Sequence, residues 1–200
     1  IFDLDGTLVD SRQDLTASVN HALRQMGLAP LSMETVAGFV GDGARLLFTR
    51  ALKAARGAAD EPEVEAGLRA FRDHYALHLL DATRPYPGVP EALQALGHKV
   101  MAVATNKPQG YARAILEGLG LHHHFRLILG GDSTPHKKPH PAQAEAILAA
   151  VGLPPTAALV VGDSPQDIAM ARAAGCGACA VTYGLRPREE DGPILEEGRT

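Results

Sequence analysis

The sequence contains few cysteines, no long apolar run and no cluster of basic residues, and these absences argue against several classes of protein. Cys176 and Cys179 are its two cysteines, and together they form one C-x-x-C pair. A structural zinc site needs a second pair of ligands, and a disulfide scaffold needs more cysteines. We therefore interpret both as small buried side chains in a reducing environment.

Charge and hydropathy limit the possible partners. The formal net charge is −4, and without a long basic run the electrostatic footprint of a nucleic-acid-binding protein is missing. No apolar stretch reaches the roughly 18 residues that span a bilayer, and nothing at the start is typical of a signal peptide. We therefore expect a cytoplasmic protein that binds small molecules, with no nucleic-acid or membrane partner. The oligomeric state stays open.

Two kinds of periodicity divide the chain. From about Ser11 to Tyr86, apolar residues recur at helical spacing and no convincing strand occurs. After "YPGV", the short apolar runs "KVMAVAT", "FRLILGG", "AALVVGD" and "GACAVTYG" alternate with helical stretches, as in parallel strands buried on both faces. The predicted fold is α/β, with a Rossmann-like parallel-sheet core at 1–10 and 87–200 and an inserted all-helical cap domain at 11–86.

Both ends of the sequence are expected to continue in the native protein. Only two apolar residues, Ile1 and Phe2, precede Asp3, which is short for a strand. The polar tail, residues 186–200, has no clear packing partner in the predicted core.

Polar side chains follow the predicted strands at the edge where an open parallel sheet binds its ligands. In chain order they are Asp3 and Asp5, then Thr105, Asn106 and Lys107, then Lys137 and Lys138, and finally Asp163 and Asp167. Clustered carboxylates need counter-charge, and hard oxygen ligands with a substrate phosphate suit Mg²⁺. Each motif alone also fits a plain turn or a helix N-cap. Their shared position after strands predicts metal-assisted phosphoryl chemistry.

The stretches "DLDGT", "VATNKP", "KKPHP" and "GDSPQD" resemble the four ordered motifs of the haloacid dehalogenase superfamily, across nearly the whole chain. The resemblance implies that Asp3 is the nucleophile that takes up a phosphoryl group. It also implies that Asp5 protonates the leaving oxygen and then deprotonates the attacking water. An acid at the position of Asp5 is typical of the phosphatase and phosphomutase branches rather than of the dehalogenases.

The same resemblance implies roles for the other motif residues. Thr105 and Asn106 would hold the transferring phosphoryl oxygens, and Lys138 would neutralise them together with Asp3. Gly6 would leave room for the phosphate beside the backbone. The implied Mg²⁺ site consists of Asp3, the backbone carbonyl of Asp5, Asp163 and, in support, Asp167.

The helical insert resembles the cap that closes over small substrates in one subclass of the superfamily. Its loop "FVGDGARLL", with "VDSRQDL" before it and "PYPGV" after it, most resembles that of the phosphoglycolate phosphatases. This implies that Gly41, Gly43 and Arg45 lie near the substrate, with Arg45 paired to a small carboxylate. The plainer alternative is that "GDG" is a turn before a helix and that Arg45 is solvated.

Other functions stay open at this point. A β-phosphoglucomutase-like phosphomutase, or a phosphatase for another small metabolite or for pyrophosphate, would use the same core motifs. A receiver-like signalling domain would place its phosphorylated aspartate after a later strand and would lack the cap. A non-catalytic member would be expected to lack residues such as Asp3 or Lys138. No histidine is predicted to act in the site.

Overall fold

The computed structural model describes residues 1–185; the polar tail at 186–200 lies outside the described residues. The helices are α1 (Arg12–Gln25), α2 (Met33–Ala37), α3 (Ala44–Arg56), α4 (Glu61–Leu77), α5 (Val89–Ala95), α6 (Gln109–Gly118), α7 (Ala142–Val151) and α8 (Pro165–Ala174). The strands are β1 (Val9–Asp10), β2 (Arg84–Pro85), β3 (Ala102–Ala104), β4 (Leu127–Leu129), β5 (Leu159–Gly162) and β6 (Gly177–Ala180). Short 3-10 turns lie at His122–His124 and Pro155–Ala157.

The central sheet is parallel, and the first residues of the chain run through its middle. β3 pairs with β4, and β5 pairs with β6. Phe2 bridges Val103 on one side and Val161 on the other, which gives the order β4, β3, the Phe2 segment, β5, β6. The registers align Ala102 with Leu127 and Leu159 with Gly177. Asp3 therefore emerges at the carboxyl edge between β3 and β5, and the predicted α/β class is confirmed.

Helices cover both faces of this sheet. Successive residues of a strand point in opposite directions, so neighbouring strand residues pack against different helices. Val103 packs in one apolar cluster with Ile115 and Leu116 of α6. Its neighbours Ala102 and Ala104 pack on the other face, in the cluster that includes side chains of α7 and α8. The two clusters fix the strand ends that carry the polar motifs.

The helices α1 to α4 build a separate apolar core, as the helical periodicity predicted. Val19, Leu23, Phe48, Leu68 and Phe71 are all buried in it. No strand was expected between residues 11 and 86, yet β2 pairs antiparallel with β1 where the chain enters and leaves this helical unit. A two-residue strand that ends in proline carries no alternation, so sequence periodicity cannot reveal it.

Candidate active site

A small, partly open pocket lies where the helical unit covers the carboxyl edge of the sheet. Its volume is about 50 Å³. One wall is polar and comes from the sheet edge, and the other is largely apolar and comes from α1, α3, α4 and the loop before α3. The lining residues are Asp3, Asp5, Leu15, Val40, Gly41, Gly43, Ala44, Leu47, Phe71, Tyr75, Thr105, Asn106, Lys107, Pro108 and Tyr111.

Asp3 is buried beside the ammonium of Lys138. The Lys138 Nζ lies 2.8 Å from Asp3 Oδ1 and 2.6 Å from Asp167 Oδ1, and it also donates to the carbonyl of Ala104. Burial, opposed by Lys138 and reinforced by Asp167 and Asp163, raises the pKa of Asp3 above its usual range. Since Asp3 Oδ1 also accepts from the backbone N–H of Leu4, its Oδ2 is the oxygen left for a ligand.

Three carboxylates come together around this ammonium. One oxygen each of Asp3, Asp163 and Asp167 lies within 4.8 Å of the others. Burial raises the pKa of Asp163, although the N–H of Leu185 lowers it by donating to its Oδ2. Lys138 compensates only one of these three negative charges, and closely spaced carboxylate oxygens are the donors of a magnesium site. The residues present therefore fit the metal that the sequence motifs imply.

Glycines allow the backbone to approach these carboxylates closely. A Cβ on Gly6 would lie 2.1 Å from Oδ2 of Asp163, and Gly6 has φ +89°. A Cβ on Gly184 would lie 2.3 Å from the Asp163 Cβ, and one on Gly162 would lie 2.2 Å from the Asp167 Cγ. Gly6 thus makes room for Asp163 rather than lining the pocket itself.

Asp167 combines two roles that the sequence left as alternatives. Its Oδ2 accepts from both the backbone N–H and the hydroxyl of Ser164, at 3.0 and 2.6 Å, as in the first turn of a capped helix. Its Oδ1 faces Lys138. The helix start therefore holds Asp167 rigidly beside the lysine.

Asp5 sits in a hydrogen-bonded network that reaches from the core into the helical unit. Its Oδ1 accepts from the Ser11 hydroxyl at 2.6 Å, and its Oδ2 lies 2.9 Å from the Lys107 Nζ. Lys107 donates to the Tyr75 hydroxyl at 2.8 Å, and Tyr75 comes from α4. Burial disfavours the charged form of Lys107, but Asp5 and Tyr75 outweigh it and raise the pKa of Lys107.

Thr105 and Asn106 both line the pocket. Thr105 lines the pocket with its hydroxyl held near the N–H of Lys107, at 3.3 Å. The Asn106 side chain accepts from the Lys138 N–H at 2.9 Å and donates to the carbonyl of Gly41 at 2.8 Å. Asn106 therefore links the loop that contains Lys138 to the loop of the cap that contains Gly41.

Arg45 is the predicted site residue that the structure does not bring to the site. It lies in the first turn of α3, on the exposed side, and its guanidinium forms ion pairs with Glu61 and Glu65 of α4. The helix turns its side chain away from the pocket that Gly41 and Gly43 line. The segment "GDG" directly precedes α3, as the plainer alternative predicted.

The sequence placed Lys107 at this edge of the sheet but predicted no role for it, and it did not predict Tyr75 or Ser11 at the site. Lys107 carried a signal, because it directly follows Thr105 and Asn106 after a strand. Tyr75 carried none, since an aromatic residue at helical spacing indicates a core position. Ser11 contacts Asp5 only because the chain turns back at β1.

This geometry joins a parallel α/β core, a helical cap and three carboxylates around a buried lysine, and a model of the haloacid dehalogenase-like hydrolase family matches residues 1–181. The chain belongs to that family. Among its relatives are phosphoglycolate phosphatase 1 of Pseudomonas aeruginosa, 42% identical over 98% of this chain and 74% of the relative, and phosphoglycolate phosphatase of Chromobacterium violaceum, 45% identical over 92% and 84%. The chain is a phosphatase, a hydrolase of phosphoric monoesters.

Solved structures share the fold. A predicted phosphoglycolate phosphatase from Haemophilus somnus superposes with a TM-score of 0.88 at 41% identity, over 92% of this chain and 84% of that one. A haloacid dehalogenase-like hydrolase from Streptococcus pneumoniae superposes with a TM-score of 0.81 at 25% identity, over 94% and 85%. Within residues 1–185, none of the helices is both long and apolar enough to cross a membrane.

Proposed function

We propose that this phosphatase hydrolyses 2-phosphoglycolate to glycolate and inorganic phosphate, through an aspartyl-phosphate formed on Asp3. The observation that carries the proposal is the position of Asp3 and Asp5 in one small pocket, with Lys138 at 2.8 Å from Asp3. The relatives named phosphoglycolate phosphatase, at 42% and 45% identity, support the choice of substrate.

In the first half of the reaction, a carboxylate oxygen of Asp3 attacks phosphorus and the bond between phosphorus and the ester oxygen breaks. A protonated Asp5 gives its proton to that oxygen, so glycolate leaves as an alcohol. In the second half, water attacks the phosphorus of the aspartyl-phosphate while Asp5 takes up a proton. Phosphate leaves, and the carboxylate of Asp3 is regenerated.

Lys138, Thr105 and Asn106 would hold the phosphoryl group during both steps. Lys138 faces Asp3, and Thr105 and Asn106 lie at the neighbouring strand end. Mg²⁺, held by Asp3, Asp163 and the backbone carbonyl of Asp5 with Asp167 in support, would supply positive charge for the transferring phosphoryl oxygens. The apolar wall from the cap would exclude bulk water from the acyl phosphate.

The relatives favour a small leaving group over a hexose bisphosphate. Two of them, both named phosphoglycolate phosphatase, match 98% and 92% of this chain, so the phosphomutase alternative receives less support than a small phosphomonoester. The core motifs alone do not separate these substrates.

The test is phosphate release from a panel of substrates in Mg²⁺, with kcat/KM measured for 2-phosphoglycolate, sugar phosphates, nucleotides and pyrophosphate. We expect 2-phosphoglycolate to be preferred. A higher kcat/KM for a larger substrate would keep the phosphatase chemistry and reject 2-phosphoglycolate.

A further inference from the structure

The pocket contains a buried cation that the mechanism above does not use. The ammonium of Lys107 is 2.8 Å from the Tyr75 hydroxyl and 2.9 Å from Oδ2 of Asp5, and it lies 4.7 Å from the centre of the Tyr75 ring. A lysine ammonium has three protons, and these two oxygens take two of them. The third is available to a ligand in the pocket.

A substrate that carries a carboxylate as well as its phosphate needs a positive partner in this pocket, because the pocket already contains two carboxylates. Asp3 and Asp5 are the carboxylates in its lining, and Lys107 is the basic residue in that lining within the described part of the chain. Lys138 faces Asp3 and Asp167, on the phosphoryl side. A carboxylate buried with the leaving group would be costly without a partner of its own.

The structure of the leaving group requires that its cation lie next to Asp5. In glycolate the ester oxygen and the carboxylate are bonded to the same methylene carbon. The residue that protonates the ester oxygen and the residue that binds the carboxylate must therefore be neighbours. Lys107 meets this condition at 2.9 Å from Asp5, whereas Arg45 is paired with Glu61 and Glu65 outside the pocket.

We propose that Lys107 and the hydroxyl of Tyr75 together bind the carboxylate of the leaving group, and that they select phosphomonoesters with an acid beside the ester. This inference rests on the function proposed above and identifies the residues that recognise the carboxylate of 2-phosphoglycolate. Lys107 is a specificity residue of the core.

Tyr75 completes this carboxylate site from the cap. Because its oxygen accepts from Lys107, its own proton remains free to be donated to a ligand. Burial raises the pKa of Tyr75 to about 12, so the hydroxyl keeps that proton at neutral pH. Since Tyr75 lies on α4 and Lys107 follows β3, the carboxylate site exists only while the cap covers the core.

The test compares two substrates that differ only in the carboxylate, 2-phosphoglycolate and ethyl phosphate. We expect Lys107→Met to lower the ratio of kcat/KM for 2-phosphoglycolate to kcat/KM for ethyl phosphate by about 10- to 100-fold, because a hydrogen-bonded charge is lost. Tyr75→Phe should lower the same ratio by a smaller factor, and Lys107→Arg should retain the preference. Lys99→Met, an exposed lysine at the opposite end of the sheet, is the matched control.

The outcomes separate this inference from the proposed function. If wild-type enzyme does not prefer 2-phosphoglycolate to ethyl phosphate, both fail. If wild type has the preference and Lys107→Met keeps it, only the inference fails. An equal loss of kcat/KM on both substrates in Lys107→Met would show that Lys107 merely positions Asp5. A selective loss for 2-phosphoglycolate in Arg45→Met alone would show that Arg45, and not Lys107, binds the carboxylate. Circular dichroism confirms folding, and if Lys107→Met is unfolded, Tyr75→Phe and Lys107→Arg decide.

Discussion

Thr83 donates both its backbone N–H and its hydroxyl to Oδ2 of Asp14, each over 2.7 Å, and both residues are buried. The N–H of Ala82 also donates to the Asp14 carboxylate, at 2.9 Å from Oδ1. Asp14 lies at the start of the cap in α1, and Thr83 lies just before the chain leaves the cap through β2. One carboxylate therefore ties together the two segments that connect cap and core.

Removing this carboxylate should destabilise the protein. Asp14→Ala leaves buried donors of Ala82 and Thr83 without an acceptor, and we expect the free energy of unfolding to fall by about 2 to 4 kcal/mol. Urea denaturation measures the change. Asp73→Ala, an exposed aspartate of α4, is the control and should have little effect. Equal stabilities for the two variants would mean that Asp14 does not hold the cap entry in solution.

Replacing the proposed nucleophile, Asp3, should abolish turnover while the fold stays intact. Asp3→Asn keeps the shape of the side chain, and Lys138 retains Asp167 as its ionic partner. We expect kcat to fall by a factor of about 1,000 or more, because an amide does not form the acyl phosphate. Phosphate release and thermal unfolding should be measured together. Activity near that of wild type would refute the assignment of Asp3.

The sequence predicted the position of the residues at the edge of the sheet better than it predicted which side chains of the cap face them. Asp3, Lys138 and Asp163 follow strands whose apolar runs are plain in the sequence, so the rule for open parallel sheets predicts them at one edge, where the structure also has them close together. The side-chain direction of Arg45 depends on how α3 packs against α4, and periodicity carries no information on that. Tyr75 reaches Lys107 across the interface of cap and core, a long-range contact that no local pattern encodes.

Removing divalent metal should stop the reaction. Without the metal, Lys138 alone compensates the three carboxylates of Asp3, Asp163 and Asp167, and the remaining negative charge repels an incoming phosphate. We expect EDTA to reduce activity to background and added Mg²⁺ to restore it. Mg²⁺ should also raise the Tm of wild type more than that of Asp163→Asn. A phosphatase that is insensitive to EDTA would contradict the metal site.

Mild acid should weaken the contact between α1 and α4. The His74 ring lies between the rings of His21 and His78, at 4.2 and 4.1 Å, and its Nδ1 is 2.9 Å from the Ser18 hydroxyl. Burial and then the two histidines lower the pKa of His74, against a smaller opposite effect of Asp81.

The folded state therefore favours the neutral His74, and the unfolded chain takes up a proton first as the pH falls below about 6.5. We expect Tm to decrease between about pH 7 and 5.5, and the decrease to be smaller in His74→Gln. The exposed His98→Gln should leave the pH dependence of Tm as it is in wild type. If His74→Gln shows the full decrease, other groups cause it.

Alanine substitutions at Gly6 and Gly88 distinguish the effect of backbone strain from the effect of a steric clash with a carboxylate. Gly6 and Gly88 have nearly the same φ, +89° and +84°, so an alanine at either position is strained by about 1 to 2 kcal/mol. Only at Gly6 does the new Cβ meet a side chain, 2.1 Å from Oδ2 of Asp163; at Gly88 nothing lies within 4 Å. Both variants should therefore lose similar thermal stability from strain, with any further loss confined to Gly6→Ala.

Activity should distinguish the two variants more sharply than stability does. Because Asp163 must move in Gly6→Ala, we expect the Mg²⁺ concentration for half-maximal activity to rise by about 10- to 100-fold, and not to change in Gly88→Ala. A titration of activity with Mg²⁺ on both proteins measures this. An unchanged requirement in Gly6→Ala would mean that Asp163 yields without loss, and that the close approach of Gly6 serves the turn of the backbone rather than the metal.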